Sequence, residues 1–186
     1  MARTTFSGPV RSLRGFLGSG PDMVVDTLTS TPVDGGTNIA GIDAYQGKVV
    51  QLANNTIVFN LPNIITTATS GVAGANDPNS ANRVGYEVTF LVHTNLSGNT
   101  FTLNAGTAAG RATADVFRGM AIYNNTATDP GAVTAFTAGG TDTLTLTATT
   151  KGGLEGAQIQ CRSVDGLLWQ VSAQLIGNGA FANPWS

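Results

Sequence analysis

The stretch from Asp142 to Leu175 constrains the fold more than any other part of the chain. It contains three successive segments in which apolar and polar residues alternate, at Asp142–Thr149, Ala157–Arg162 and Leu167–Leu175. Alternation with a period of two residues is typical of a β-strand with one buried face. Threonine fills the polar positions of the first segment, and a β-branched residue so placed favours a strand over a helix. The stretch therefore predicts three consecutive strands.

The connection between the second and third strands admits two registers. A two-residue hairpin at Asp165-Gly166 places Arg162 opposite Trp169, which mixes a polar face with an apolar one. A three-residue loop with glycine in a G1 bulge places Cys161 opposite Trp169 instead. We expect the bulged form because it keeps the two apolar faces together.

Further alternating segments bring the total to about ten strands. They lie at Lys48–Leu52, Thr56–Leu61, Ile64–Thr69, Val84–His93, Thr100–Asn104 and Ala132–Phe136, and residues 115–123 fit either a strand or a short helix. The turns at Asn54-Asn55 and at residues 95–99 are short, so we expect each to join two paired strands as a hairpin. Short turns without an amphipathic helix predict an all-β fold, an antiparallel β-sandwich or jelly roll, with residues 46–176 as its body.

The two ends of the chain differ from this body. Residues 1–45 show neither strand alternation nor a helical stripe and are interrupted by glycine and proline, so we expect an extended N-terminal arm. Residues 177–186 form a short, glycine-rich C-terminal tail that ends in aromatic residues. Residues 1–21 hold three arginines and no acidic residue, whereas the remaining 165 residues carry all eleven acidic residues of the chain.

We expect both ends to become ordered by contact with other subunits, because such contacts offset the entropy lost on ordering. Aromatic and leucine side chains would anchor the contact, and arginines would pair with carboxylates of the partner. The candidate partner-binding residues are Arg3, Phe6, Arg11, Leu13, Arg14, Phe16, Leu17, Phe181 and Trp185.

Composition points in the same direction. Charged residues make up 11% of the 186 residues, against roughly a quarter in an average soluble domain. A surface so poor in charge gains little solubility from it, so we expect other protein to cover much of it. The length suits one domain with a full core.

Residues that carry chemistry are few. His93 is the one histidine and no nucleophile motif accompanies it, so we expect a solvated or hydrogen-bonded strand residue. Cys161 lies on an apolar strand face and is expected to be a core residue; as a single cysteine it forms no intrachain disulfide. The carboxylates are scattered near turns, which favours turn and capping roles, while a calcium ion held by loop carbonyls and Asp77 stays open. We predict no enzyme, no catalytic residue and no cofactor.

Other partner classes are also disfavoured. The N-terminus lacks the apolar core of a secretory signal, and no apolar run approaches the ~18 residues of a membrane span. Three arginines without interleaved aromatic residues are a weak signal for nucleic acid. A protein surface is the expected partner.

The sequence as a whole resembles structural proteins of tailed bacteriophage virions. The resemblance rests on the arm MARTTFSGPVRSLRGF followed by a Thr/Gly/Asn-rich β-domain with NTFTLNAG, DTLTLTATTKGG and DGLLWQVSAQ. It is similar in particular to the small head-decoration (cement) proteins of marine podovirus-like phages. The resemblance implies a β-rich homo-oligomer, often a trimer, that is made in the host cytoplasm and binds the major capsid protein on the outer surface of the head.

Two alternatives accompany this hypothesis. A head-fibre, tail-fibre or knob domain would bind a host carbohydrate and would need exposed aromatic platforms, for which Trp169 and Trp185 are the few candidates. A fibre-borne polysaccharide depolymerase would need a pair of carboxylates roughly 5 to 9.5 Å apart in a cleft.

Overall fold

The structure is a computed structural model, and it describes residues 24–28, 45–61, 86–105, 116–126, 133–139, 141–163, 168–180 and 182–186. Within these ranges the chain forms ten β-strands, and it contains no helix long and apolar enough to cross a membrane. The strands are β1 (Val24–Leu28), β2 (Lys48–Leu52), β3 (Ile57–Asn60), β4 (Glu87–Val92), β5 (Thr100–Asn104), β6 (Val116–Asn125), β7 (Val133–Gly139), β8 (Thr143–Thr147), β9 (Gln158–Ser163) and β10 (Leu168–Gly177).

The strands belong to two sheets that pack face to face. Sheet A has seven strands in the order β1-β2-β4-β9-β10-β6-β7, and sheet B has three in the order β3-β5-β8. Burial alternates along β4 and β9, which leaves one face of sheet A in the core and the other towards solvent. Phe90 of β4 lies 4.8 Å from Phe59 of β3 and 5.1 Å from Phe101 of β5, measured between ring centroids. The prediction of an all-β sandwich is confirmed.

Inward side chains of both sheets form one apolar cluster between them. Each buried aromatic ring removes roughly 150–250 Å² from water, which is worth about 25 cal/mol per Å². Aromatic burial therefore supplies much of the driving force for folding. The largest buried rings are Trp169, Tyr86, Tyr123, Phe59, Phe90, Phe101 and Phe117.

Both sheets are mixed, which corrects the expectation of antiparallel sheets. Of the eight strand pairings in the described part of the chain, four are parallel: β1 with β2, β2 with β4, β3 with β5 and β6 with β10. The strands β2 and β4 belong to sheet A and β3 and β5 to sheet B, so successive strands from β2 to β5 alternate between the sheets. Strands two apart in sequence thus become parallel neighbours, and alternation within a strand carries no information about this.

The turns after β2 and β4 join strands of different sheets, so the hairpins predicted at these two places are wrong. Leu96 anchors the second turn, because its side chain is fully buried and its N–H donates to the Gly153 carbonyl at 2.9 Å. Asn99 ties the two turns together by donating from Nδ2 to Asn54 Oδ1 at 3.0 Å. Such an arch lets both flanking strands bury an apolar face in one core without pairing, and the resulting alternation is the same as in a hairpin.

The hairpin between β9 and β10 forms as predicted, but in another register. Ser163 lies opposite Trp169 and Cys161 lies opposite Val171, so the predicted pairing of Cys161 with Trp169 is wrong by two residues. A shift of two residues preserves which side chains face the core, so face alternation does not distinguish the registers. Burial of Ser163 is tolerated because its Oγ accepts a hydrogen bond from the Tyr86 N–H at 2.9 Å. The predicted bulge lies outside the described residues.

Sheet A begins with a strand from the region predicted as the extended arm. Strand β1 falls within residues 1–45 and pairs in parallel with β2 at one edge of the sheet. Its five residues, VVDTL, do not alternate in polarity, so the sequence gives no strand signal there. The predicted strand at residues 64–69 lies outside the described residues.

The segment that fits either a strand or a helix forms strand β6, next to β10. Gly119 in its middle has a φ of +145°, which side-chain-bearing residues rarely adopt, and it lies opposite Val171. A Cβ atom at this position would collide with the Val171 carbonyl group. Glycine therefore allows β6 and β10 to approach closely enough to pair.

Candidate functional site

The outer face of sheet A, which points away from sheet B, is largely uncharged. Cross-strand pairing arranges its side chains in rows. One row consists of Gln51, Leu91, Gln158, Gln174, Ile122 and Ala135. The adjacent row consists of Val49, Thr89, Gln160, Ser172, Met120 and Thr137. Amides, hydroxyls and apolar groups alone occupy both rows.

On the six strands from β2 to β7 in the sheet order, the charged side chains of this face fall into a third row at one end. Glu87 lies opposite Arg162, Arg162 lies opposite Gln170, and Gln170 lies opposite Arg118. Glu87 also accepts a hydrogen bond from the side-chain amide of Gln160. Exposed pairs of opposite charge contribute little to stability, so this row mainly keeps one end of the face hydrated.

Three large apolar side chains are exposed in the described part of the chain, and all three lie on the outer face of β6 and β7. Val133 is 61% exposed, Met120 45% and Ile122 38%. Ile122 lies opposite Ala135, which is also exposed, and Asn124 lies opposite Val133. We call Met120, Ile122, Val133 and Ala135 the apolar patch. Large contiguous exposed apolar patches mark interaction surfaces, so the apolar patch is the candidate site on this face.

Strand β7 ends the strand order of sheet A among the described residues, and there one side of its backbone is an edge. Its sequence, VTAFTAG, contains neither a charged residue nor proline. Natural proteins usually block exposed edges with charges, proline, bulges or covering segments, because an open edge pairs readily with another chain. Neither a charged residue nor a proline therefore blocks the β7 edge.

The β8 edge of sheet B, in contrast, is closed by the chain's own C-terminus. The Thr143 N–H donates to the Ser186 carbonyl at 3.2 Å, and the Ser186 N–H donates back to the Thr143 carbonyl at 3.0 Å. The Thr145 N–H donates to the Pro184 carbonyl at 2.8 Å. Residues 184–186 thus act as an additional short strand.

Trp185, which is predicted to bind a partner, belongs to this closure within its own chain. Its side chain is only 5% exposed, its ring centroid lies 5.7 Å from that of Phe117, and its Nε1 donates to the Phe136 carbonyl at 3.4 Å. An aromatic residue near a terminus gains the same burial from its own sandwich as from a neighbour. Phe181 lies outside the described residues.

The described part of the chain contains His93, Cys161 and Glu155 among the residues considered for chemistry. His93 is exposed and Cys161 is fully buried, as expected from their strand faces. Burial raises the pKa of the Cys161 thiol and so disfavours the thiolate that a nucleophile requires. Glu155 has a turn role, in which its N–H donates to Asn95 Oδ1 at 2.7 Å. Among the described residues no three His, Cys, Asp or Glu side chains are grouped so as to hold a metal ion, and Asp77 lies outside them.

The seven arm residues predicted to bind a partner lie outside the described residues; they are Arg3, Phe6, Arg11, Leu13, Arg14, Phe16 and Leu17. The apolar patch was not predicted. Its signal was the presence of apolar residues on both faces of the segment from Phe117 to Tyr123, where Met120 and Ile122 alternate with core residues. The same feature made the segment fit a helix as well as a strand.

Both tryptophans of the chain are buried, Trp169 fully and Trp185 almost fully. Trp169 stacks edge-on against Tyr86 inside the core, with ring centroids 5.9 Å apart. Neither indole ring offers the exposed stacking platform that a carbohydrate-binding fibre or knob domain would need.

Comparisons of the chain with protein-family models, with curated proteins and with solved structures find no match. Function is therefore argued from the surfaces of the chain itself.

Proposed function

We propose that this protein is a non-enzymatic structural component of a bacteriophage virion, a decoration or cement protein of the outer head surface. In this role the sandwich forms a homo-oligomer on the shell. The arm, which enters the body at β1, lies across adjoining major capsid subunits and clamps them. The proposal extends the resemblance of the sequence to head-decoration proteins.

The observation that carries the proposal is the distribution of charge on sheet A. From β2 across to β7, charged groups of its outer face are confined to the row of Glu87, Arg118 and Arg162, and the β7 end carries exposed apolar groups. A free monomeric protein relies on dispersed charge for solubility. A protein that spends its working life packed among other subunits does not need it.

The body leaves room for two kinds of contact. The arm joins the body at β1, and the apolar patch lies at β7, which is six strand positions away across sheet A. At 4.8 Å per position the two edges are about 29 Å apart. Arm contacts with the shell therefore need not compete with contacts at the patch. A standard interface of ~1,600 Å², repeated at symmetry-related sites, gives the avidity that resists internal pressure.

The test is deletion of residues 1–21, which ends before β1 and so leaves all ten strands intact. We expect the truncated protein to stay folded, because all ten strands remain, and to be absent from empty capsids after sedimentation. A matched control is Arg118→Glu, which changes one arginine of the body instead of the three of the arm.

The outcomes separate the alternatives. Undiminished occupancy of capsids by the truncated protein contradicts the clamp. Binding to a glycan array together with no affinity for capsids favours the fibre or knob hypothesis. Loss of capsid binding by the truncated protein and retention by Arg118→Glu support the proposal.

A further inference from the structure

We propose that Asn178 is a site of spontaneous deamidation, at which the side-chain amide reacts with the following peptide nitrogen and leaves isoaspartate or aspartate. The pair Asn178-Gly179 is the one Asn-Gly step in the sequence. Glycine has no side chain to hinder the approach of its nitrogen to the preceding amide, and it gives the backbone the freedom that this approach needs. The inference concerns the end of the sandwich and does not depend on capsid binding.

The structure leaves the Asn178 side chain accessible. Asn178 directly follows β10, in a bend at residues 178–180 that belongs to no strand, and it is exposed. Its side chain makes no hydrogen bond with another described residue. Asn104, in contrast, donates from Nδ2 to Asn60 Oδ1 at 2.8 Å. The amide carbon of Asn178 is therefore open to attack by the Gly179 nitrogen.

The reaction needs no reagent other than water. The Gly179 nitrogen loses its proton and attacks Cγ of Asn178. The new bond from this nitrogen to Cγ replaces the bond from Cγ to Nδ2, and ammonia leaves with the proton. Water then opens the cyclic imide. Opening at Cγ gives aspartate, whereas opening at the backbone carbonyl carbon gives isoaspartate, in which the main chain runs through Cβ and Cγ.

Tyr123 restrains the attacking nitrogen in the folded chain. Its hydroxyl donates to the Thr149 carbonyl at 2.6 Å, and the backbone N–H of Gly179 forms a hydrogen bond with the same hydroxyl. Asn125 holds the Gly179 carbonyl from Nδ2 at 3.2 Å. The bend must open before the nitrogen can attack, so the folded chain should react more slowly than the unfolded chain.

Isoaspartate at this position would weaken the closure of the β8 edge. It lengthens the main chain by one C–C bond, about 1.5 Å. Hydrogen bonds fix the chain on both sides of the modified residue. The Thr126 N–H donates to the Gly177 carbonyl at 2.9 Å, and the Ala182 N–H donates to the Thr150 carbonyl at 3.0 Å. Hydrogen-bond lengths vary by only about 0.5 Å, so the extra bond should displace residues 184–186 from β8.

Peptide mass spectrometry of the full chain, aged at pH 8, tests the site. The peptide that contains residue 178 should gain about 1 Da, because a hydroxyl replaces an amino group, and should separate into two products. The gain should be faster in urea than in buffer. Asn178→Gln is the matched control and should show no gain over the same time, because its longer side chain closes a larger ring. Tyr123→Phe, which removes the hydroxyl that holds the Gly179 nitrogen, should react faster than the wild type.

Unfolding temperatures test the consequence for the β8 edge. The isoaspartate form carries an added negative charge and can be separated from the unreacted chain by anion exchange. It should unfold at a lower temperature than the unreacted chain. Asn178→Asp adds the same charge without lengthening the main chain, and it should unfold at the wild-type temperature because the position is exposed.

The outcomes separate the parts of the inference. Absence of the mass gain at residue 178 in the folded chain, while the chain in urea shows it, overturns the site. An isoaspartate form that unfolds at the same temperature as Asn178→Asp overturns the link to the β8 edge. A Tyr123→Phe variant that is folded by circular dichroism and reacts no faster than the wild type overturns the restraint by Tyr123.

Discussion

In the described part of the chain, the β8 edge is covered by residues 184–186, whereas the β7 edge has no neighbouring strand. At β8 the chain uses its own last residues to complete the backbone pairing of sheet B, and it buries Trp185 at the same place. At β7 the strand ends sheet A next to exposed Met120, Ile122 and Val133. A closed edge belongs to the stability of the monomer, whereas an open, uncharged edge belongs to association. The difference assigns stability to one end of the sandwich and makes the other end the candidate surface for association.

The strongest way to break this comparison is Trp185→Ala. If Trp185 closes the core of its own chain, the substitution should lower the free energy of unfolding by about 3–5 kcal/mol, since it removes a large ring and leaves a cavity beside Phe117. Urea unfolding followed by circular dichroism measures the loss. Ser186→Ala, at the exposed neighbouring position, is the control and should change the free energy by less than about 0.5 kcal/mol. A loss below about 1 kcal/mol for Trp185→Ala would return this residue to the role of an external anchor.

Gly119→Ala asks whether the open edge is a rigid part of the sandwich. Strand β6 joins β7 to the rest of sheet A, and Gly119 permits its close approach to Val171. We expect a loss of about 2–3 kcal/mol, from collision with the Val171 carbonyl and from the strained φ. Gly98→Ala, at a φ of +73° with open space around its Cβ, should cost only about 1 kcal/mol. Equal thermal shifts for the two variants would mean that β6 and β7 are loosely attached.

The sequence predicts the faces of the strands and not their partners. The period of two places Tyr86, Ile159 and Cys161 in the core correctly, because burial of a side chain depends only on its own strand. Arches and hairpins show the same alternation of polarity, so this alternation does not reveal where the chain passes from one sheet to the other. The two edges show the same limit: Trp185 looks like an anchor for a neighbour until the backbone of β8 is in place beside it.

The candidate site was hidden for a related reason. Met120 and Ile122 make β6 apolar on both faces, and without the sheet order there is no means of knowing which of its faces points outward. Only when Phe117 and Tyr123 are seen in the core does the other set become a surface. An apolar residue at an outward position is the sign of an interface, and the outward direction comes from the fold.

We expect alkaline pH to lower the free energy of unfolding through the buried thiol of Cys161, which lies on the inner strand β9 and at neither edge. Burial raises the pKa of the Cys161 thiol, so above its ordinary value of about 9 the unfolded chain loses a proton that the folded chain keeps. Stability is then complete below pH 9 and falls as pH rises, by up to about 1.4 kcal/mol per pH unit. Burial likewise raises the pKa of Tyr123, a tendency partly offset by a backbone hydrogen bond at Gly179, and its effect begins above pH 10.

Urea titrations between pH 8 and 10 measure this slope. Cys161→Ala should flatten the dependence between pH 9 and 10 while lowering stability at neutral pH by a small core cavity. An identical slope in wild type and Cys161→Ala would show that other groups cause the alkaline loss. A slope of opposite sign would contradict the burial of the thiol in the folded chain.

The smallest expected effect is also the most discriminating between the two kinds of surface. Val133→Thr keeps the β-branched shape and replaces one methyl group by a hydroxyl at a position that is 61% exposed. In dilute solution, where the chain is monomeric, it should change the free energy of unfolding by less than about 0.5 kcal/mol. The same change at Val88, which is fully buried, should cost about 1–3 kcal/mol because its hydroxyl lacks water. If the proposed self-association uses the apolar patch, it adds stability by mass action at high protein concentration, and Val133→Thr should then unfold at a lower temperature than the wild type. Calorimetry at two concentrations separates these contributions. If Val133→Thr lowers stability as much as Val88→Thr does in dilute solution, the β7 edge is already part of the monomer core and its difference from the β8 edge disappears.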